Sequence, residues 1–302
     1  MRTSSVVAAF VMTALATWTA TSAFAQTPAF VPVTEATLAS PDPADWLHIF
    51  RTYDQHRFSP LTQIDKTTVG RLRMAWSRGL PAGVLEATPV VYRGVMYVIA
   101  PGGRVQAVDA TNGDLLWEYR RNYPATIPVA AARSKNLGIF EDMIYFGAPD
   151  GFLLALDART GRLRWETKVD EGQITAGGLL VADGKVISNR TCDQGKRAFC
   201  FIAAHDARTG KEVWKFYVTA APNAPGGDTW GNLPAEQRAA GPWGLPGSYD
   251  PVRKVVYWGV ANPNPYTRFK RYGRYDTTPP TSPTELYSNS TLALDVTTGA
   301  LV

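Results

Sequence analysis

The chain has little of what metal centres and thiol chemistry are built from: two cysteines and three histidines in 302 residues. His48, His56 and His205 show no ligand spacing, and Cys192 and Cys200 alone make a poor metal site. Past the N-terminus no stretch is long and apolar enough to span a bilayer. No Lys/Arg stripe with interleaved aromatics is present, so nucleic acid is not an expected partner. The formal charge of +5 is scattered, with one local cluster at Arg268, Lys270, Arg271 and Arg274, and reads as a solvated surface. What the chain does have is apolar residues (45%), aromatics (11%), nine Trp and 26 Gly. That composition fits a β-rich, turn-rich chain with enough apolar mass for a core.

The first residues carry an export signal: Arg2, an apolar stretch from Val6 to Ala20, and the small-x-small site Ala23-Phe24-Ala25. Cleavage after Ala25 would leave Gln26 first, with no membrane-spanning segment in the mature chain. A membrane anchor is the competing reading, but the apolar run is short and is interrupted by Thr13, Thr17 and Thr19. Export implies an oxidising compartment, where Cys192 and Cys200, eight residues apart across a Gly/Lys/Arg turn, can pair across a hairpin.

One pattern occurs four times, A-x-D-x-x-[TN]-G with a Trp eight residues after the Asp. Asp109 leads to Trp117, Asp157 to Trp165 and Asp206 to Trp214, while Asp295 begins a fourth copy that the sequence leaves one residue short of its Trp. Alternating apolar residues before each Asp predict a strand. Asp and Thr/Asn bond a tight turn, Gly supplies its positive φ, and a second strand carries the Trp as a wedge between stacked units. Asp-to-Asp spacings of 48, 49 and 89 give one small sheet per repeat, the last carrying insertions.

This repeat resembles the tryptophan-docking motif of the quinoprotein alcohol dehydrogenases, and the resemblance runs from Asp45 to Val302. It implies an all-β chain, a β-propeller of quinoprotein dehydrogenase type with about four of eight blades present as an open arc. It also implies pyrroloquinoline quinone (PQQ) and Ca2+ on the propeller axis. The division expected is a signal peptide (1–25), a loose Pro/Ala/Thr-rich lead-in (26–44) and the partial propeller (45–302). Within Asp45 to Trp76, Arg57-Phe58-Ser59-Pro60-Leu61 matches the family's R-[FY]-S-P-L stretch, followed by a short helix and a strand from Arg71 to Ser77 that would complete the last blade. Blade one is expected from about Thr88 to Tyr119, blade two from Asn136 to Thr167 and blade three from Gly177 to Val218. Blade four lacks its last strand. Two long aperiodic insertions, Thr219 to Gly247 and Ala261 to Asn289, interrupt the repeats.

The resemblance places cofactor contacts at Glu86 in LEATPVV, Lys135 (with Arg133 the alternative), Thr175 in QITAGG, and Trp243 in GPWGLPG as the flat floor under the quinone. It places metal ligands at Asn262, in YWGVANPNPY, and at Asp193, a shorter acid than the family's usual Glu. The adjacent cysteines that many members carry before blade two are absent here, and the Cys192–Cys200 pair does not replace them by position. The family's catalytic Asp follows the fourth repeat, so it is expected beyond Val302. The implied function is periplasmic oxidation of a small alcohol, with electrons passed to an acceptor such as cytochrome c or ubiquinone. This chain is expected to be inactive alone, and its open edges favour poor solubility or a homo-oligomer. The alternative is a non-enzymatic propeller scaffold of the outer-membrane assembly type, which has no need of Glu86, Trp243 and Asn262 in these contexts.

Overall fold

The four motif turns close in one way. In each, the Gly N–H donates to the Asp carbonyl at 2.8 Å, at Gly113, Gly161, Gly210 and Gly299. The Asp side chain accepts from the turn's Thr hydroxyl, at 2.5 Å for Thr111 on Asp109, 3.0 Å for Thr160, 2.8 Å for Thr209 and 2.9 Å for Thr298. Those bonds, from the Thr111 side chain and backbone, hold the exposed Asp109 carboxyl below its usual range. The glycines sit at φ of 79°, 69°, 73° and 72°, where a Cβ would clash with its own backbone.

The computed structural model describes residues 30–127, 135–169, 178–190, 192, 200–242, 245–273 and 284–302. Blade one is β1 (Val90–Tyr92), β2 (Val95–Ala100), β3 (Arg104–Asp109) and β4 (Leu115–Arg120). Blade two is β5 (Gly138–Phe140), β6 (Met143–Gly147), β7 (Phe152–Asp157) and β8 (Leu163–Lys168). Blade three is β9 (Leu180–Ala182), β10 (Lys185–Arg190), β11 (Phe201–Asp206) and β12 (Glu212–Tyr217). Blade four has three strands, β13 (Ser248–Asp250), β14 (Val255–Val260) and β15 (Ser290–Asp295). Each sheet is an antiparallel meander in chain order. The third strands of blades one to three carry the same irregularity of register two residues before the motif Asp, as between Ala155 and Leu156.

The tryptophans join the blades. Trp117 donates its indole N–H to the Ala158 carbonyl of blade two at 3.0 Å, Trp165 to Ala207 of blade three at 3.1 Å, and Trp214 to Val296 of blade four at 2.9 Å. Each ring also lies where a Cβ on the next motif Gly would stand, 2.5 Å from it at Gly161 and Gly210 and 2.6 Å at Gly299. The motif Gly therefore serves the turn and the docking of the preceding blade. Burying such a ring contributes roughly 4–6 kcal/mol as an upper estimate.

Two expectations need correction. Arg71 to Ser77 is not a strand: Val69–Arg71 is a 3-10 turn, and a strand needs a neighbour to bond its backbone, which no described residue provides for the residues that follow. Trp76 still behaves as a docking Trp. Its indole donates to the Ala110 carbonyl at 3.1 Å and lies 2.6 Å from the Cβ position of Gly113. The lead-in is not loose either. It contains α1 (Glu35–Ala39), with a Thr34/Thr37 capping box, and residues 31–55 form a strap tied to all four blades. Val33 exchanges backbone bonds with Glu141 of blade two, Glu35 accepts from the Gly184 N–H of blade three at 2.6 Å, Trp46 pairs with Val91 of blade one, and the Tyr53 carbonyl accepts from Tyr249 of blade four at 3.1 Å. The two aperiodic insertions meet among the described residues, with Ala220, Trp230 and Leu233 of the first buried against Tyr272 and Tyr287 of the second. A second short helix, α2 (Arg268–Tyr272), is capped by Thr267 within this unit.

Candidate functional site

The motif turns and the β1–β2-type turns lie at one end of every blade, and the strap covers that end. The opposite end collects the connections that lead into β1, β5, β9 and β13 and those that leave β2, β10 and β14. Of the candidate residues among the described ones, Glu86 and Lys135 lead into β1 and β5, and Asn262 leaves β14.

Glu86 and Lys135 come together. The Lys135 ammonium pairs with the Glu86 carboxylate across the entrances to blades one and two. The pairing is built by the backbone: the Thr88 N–H donates to the Lys135 carbonyl at 2.9 Å, and Thr88 forms a parallel bridge with Asn136. Beside Glu86 lies a shallow hollow walled by Ile99, Ala100, Pro101, Gly102, Gly103 and Pro149. The Lys135 side chain is 16% exposed and Glu86 32%, so the pair is reachable yet shielded on most sides.

Asn136 was not foreseen. It is buried, and its side-chain amide donates to the Leu179 carbonyl and accepts from the Leu179 N–H, both at 2.8 Å. The amide thus acts as a length of backbone joining the inner edges of blades two and three. A Cβ on Gly138 would stand 2.6 Å from Val181, and one on Gly178 2.3 Å from Pro246, so the inner edges leave no spare room. A buried Asn opening a strand rather than closing a turn was the available signal.

Asn262 follows β14. Its amide N–H donates to the Pro263 carbonyl at 3.0 Å, which leaves its amide oxygen available as an acceptor. The backbone around it forms a short ladder with the first insertion: Ala261 N–H to Gly241 carbonyl and Asn264 N–H to Ala239 carbonyl, both 2.8 Å, with Ala240 opposite Pro263. Cys192 and Cys200 are joined in a disulfide, both buried, with Cα atoms 5.0 Å apart, so they close the loop that contains Asp193. Thr175, Asp193 and Trp243, and the alternative Arg133, lie outside the described residues. Among the described residues no group of three or more His, Cys, Asp or Glu is gathered. Among the described residues Asn262 offers a neutral amide oxygen of the kind a hard cation takes. The Lys135 ammonium offers a cation of the kind that holds an anionic quinone's carboxylates, with Glu86 beside it.

Blade three departs from its neighbours in one more way. At the register where blades two and four place Leu156 and Leu294, Phe146 and Trp258, and Ala148 and Val260, it places His205, Ser188 and Arg190, all buried. Neither ring nitrogen of His205 has a hydrogen-bond partner, and burial lowers its pKa to about 4. Aligning the repeats position by position would have exposed this polar row.

Comparison with known proteins gives a consistent result. The family model for the glucose/ethanol/alcohol dehydrogenase β-propeller domain, which binds PQQ, matches residues 46–302. The dehydrogenase subunit of the alcohol dehydrogenase (quinone) of Gluconobacter oxydans is 34% identical over 290 residues, covering 86% of this chain and 37% of that protein. The structure of the quinohemoprotein alcohol dehydrogenase ADHIIG of Pseudomonas putida superposes with a TM-score of 0.78 at 31% identity, over 91% of this chain and 42% of that one. A europium-containing methanol dehydrogenase superposes with a TM-score of 0.74 at 25% identity, over 88% of this chain and 49% of that one. The chain thus spans less than half the length of these relatives.

Proposed function

Because the chain belongs to the PQQ-binding glucose/ethanol/alcohol dehydrogenase β-propeller family, we propose that it supplies the cofactor- and metal-holding part of a periplasmic alcohol dehydrogenase. The observation that carries this reading is the Lys135–Glu86 pair, formed at the end of the blades where Asn262 also lies. When bound, the quinone supplies the two-electron acceptor chemistry that side chains lack. Lys135 holds its anionic edge and presents a positive charge to it, and Glu86 orients the Lys135 ammonium and accepts a further hydrogen bond. Trp243 offers a flat apolar floor and Thr175 a hydroxyl contact. Asn262 and Asp193 would supply oxygens to the Ca2+. No residue of this chain is assigned as the base that takes the alcohol proton. The substrate is a small alcohol, and electrons leave to an acceptor such as cytochrome c or ubiquinone.

The test is titration of PQQ, with Ca2+ present, into protein recovered from the periplasm, where its mass should be that of a chain starting at Gln26. Losing a charge-assisted bond costs about 1.5–3 kcal/mol. Lys135→Met should therefore weaken PQQ binding at least tenfold, and Trp243→Ala should weaken PQQ binding more than Ca2+ binding. Wild-type PQQ affinity in both variants would sink the assignment.

A further inference from the structure

The two insertions are long and aperiodic, and one buried ion pair within the second helps to register it against the first. Arg271 and Glu285 have side chains only 2% and 4% exposed. The guanidinium meets the carboxylate through two bonds, Nε to Oε1 at 2.7 Å and Nη2 to Oε2 at 2.9 Å. Its remaining nitrogen donates to the Pro265 carbonyl. The Tyr272 hydroxyl adds a bond to Glu285 Oε1 at 2.9 Å. The Glu285 N–H donates to the Thr229 carbonyl of the first insertion at 2.9 Å, and the Leu286 N–H to the Thr229 hydroxyl at 2.9 Å. The guanidinium therefore fixes Pro265 relative to Thr229. Pro265 lies three residues past Asn262 on the same short segment, and the first insertion supplies residues 239–241, which flank Asn262 in the ladder.

A buried pair of this kind is a poor device for stability alone. Apolar residues of similar volume usually serve as well or better, because both charges must be stripped of water. What the pair offers instead is fixed geometry, since a planar guanidinium with three nitrogens engaged admits one arrangement. A hard cation needs that geometry, because its oxygen ligands must lie within about 2.3–2.6 Å. We propose that Arg271 and Glu285 are positioning residues for the Asn262 side chain, setting the distance at which its amide oxygen meets the bound Ca2+. This rests on the reading of Asn262 as a ligand.

Ca2+ alone is titrated by calorimetry into the full chain without quinone, and each variant is also melted. The double variant Arg271→Met/Glu285→Leu removes the fork without stranding a charge. It should keep the wild-type melting temperature within a few degrees and lose about tenfold or more in Ca2+ affinity. Arg271→Lys, which keeps the charge but not the fork, should also weaken Ca2+ binding. Leu233→Ala loosens the apolar part of the same unit and should lower the melting temperature with Ca2+ affinity within about twofold of wild type. Asn262→Ala separates the two ideas. If it binds Ca2+ like the wild type, or if the wild type binds none, the ligand reading fails and this proposal with it. If Asn262→Ala loses affinity while the double variant does not, or if Leu233→Ala loses as much as the double variant, the positioning role alone is overturned.

Discussion

Substituting two glycines that share a backbone conformation should have very different consequences. Gly94, in the β1–β2 turn, and Gly161, in the second motif turn, have φ of 79° and 69°. An added Cβ at Gly94 meets nothing within 4 Å. Gly94→Ala should therefore cost only the left-handed penalty of an L-residue, about 1–2 kcal/mol. At Gly161 the same Cβ would stand 2.5 Å from the six-membered ring of Trp117, about an ångström inside ordinary contact. The indole must retreat, which stretches its 3.0 Å bond to the Ala158 carbonyl. That bond contributes about 1 kcal/mol and overpacking adds about 1–3. Gly161→Ala should then cost about 3–6 kcal/mol in all. Urea unfolding followed by Trp fluorescence measures both, and the Gly161 variant should also show a red-shifted native spectrum as Trp117 is uncovered. If the two variants lie within about 1 kcal/mol of each other, the motif Gly serves its turn alone and the docking argument fails.

Acid should destabilise the fold through buried histidines. Burial lowers the pKa of His48 and His205 to about 4 from a usual 6.5. The unfolded chain thus binds more protons between those values, and stability present above pH 6.5 is lost as pH falls towards 4, by about 2 kcal/mol per histidine at pH 5. His205→Leu should shrink the difference in urea stability between pH 8 and pH 5 by about that amount, and an unchanged difference would show that His205 is hydrated and titrates normally. The strap gives another outcome. Glu35→Ala strands the Gly184 N–H and the Tyr53 hydroxyl, which now donate to its carboxylate at 2.6 and 3.2 Å. It should cost about 1–3 kcal/mol by the same urea assay; a neutral effect would mean the strap rests on the blades without fastening them.

How much of this was legible beforehand depended on whether the determinant was local. The four Asp–Thr–Gly turns, the strands around them and the docking tryptophans are each fixed within about a dozen residues, so period, turn chemistry and spacing predicted them. The Cys192–Cys200 pairing was readable for the same reason. Trp76 shows the limit. It docks on blade one as the repeat would have it, but the strand expected around it does not form, because pairing needs a neighbour that local sequence cannot supply.

By itself, then, the sequence determined the repeat, the blade boundaries, the wedge between blades and the residue types suited to a quinone and a hard cation. Tertiary structure decided what depends on meetings across long separations. Lys135 meets Glu86 because Thr88 bonds the Lys135 backbone, and Asn136 bridges 43 residues to Leu179. The strap reaches four blades, and two insertions without periodicity share one core around Trp230 and a buried Arg271–Glu285 pair. Loops of this composition carry no period to read. Their conformation is set by which carbonyls, carboxylates and rings the blades bring within reach, and that exists only once the blades have stacked.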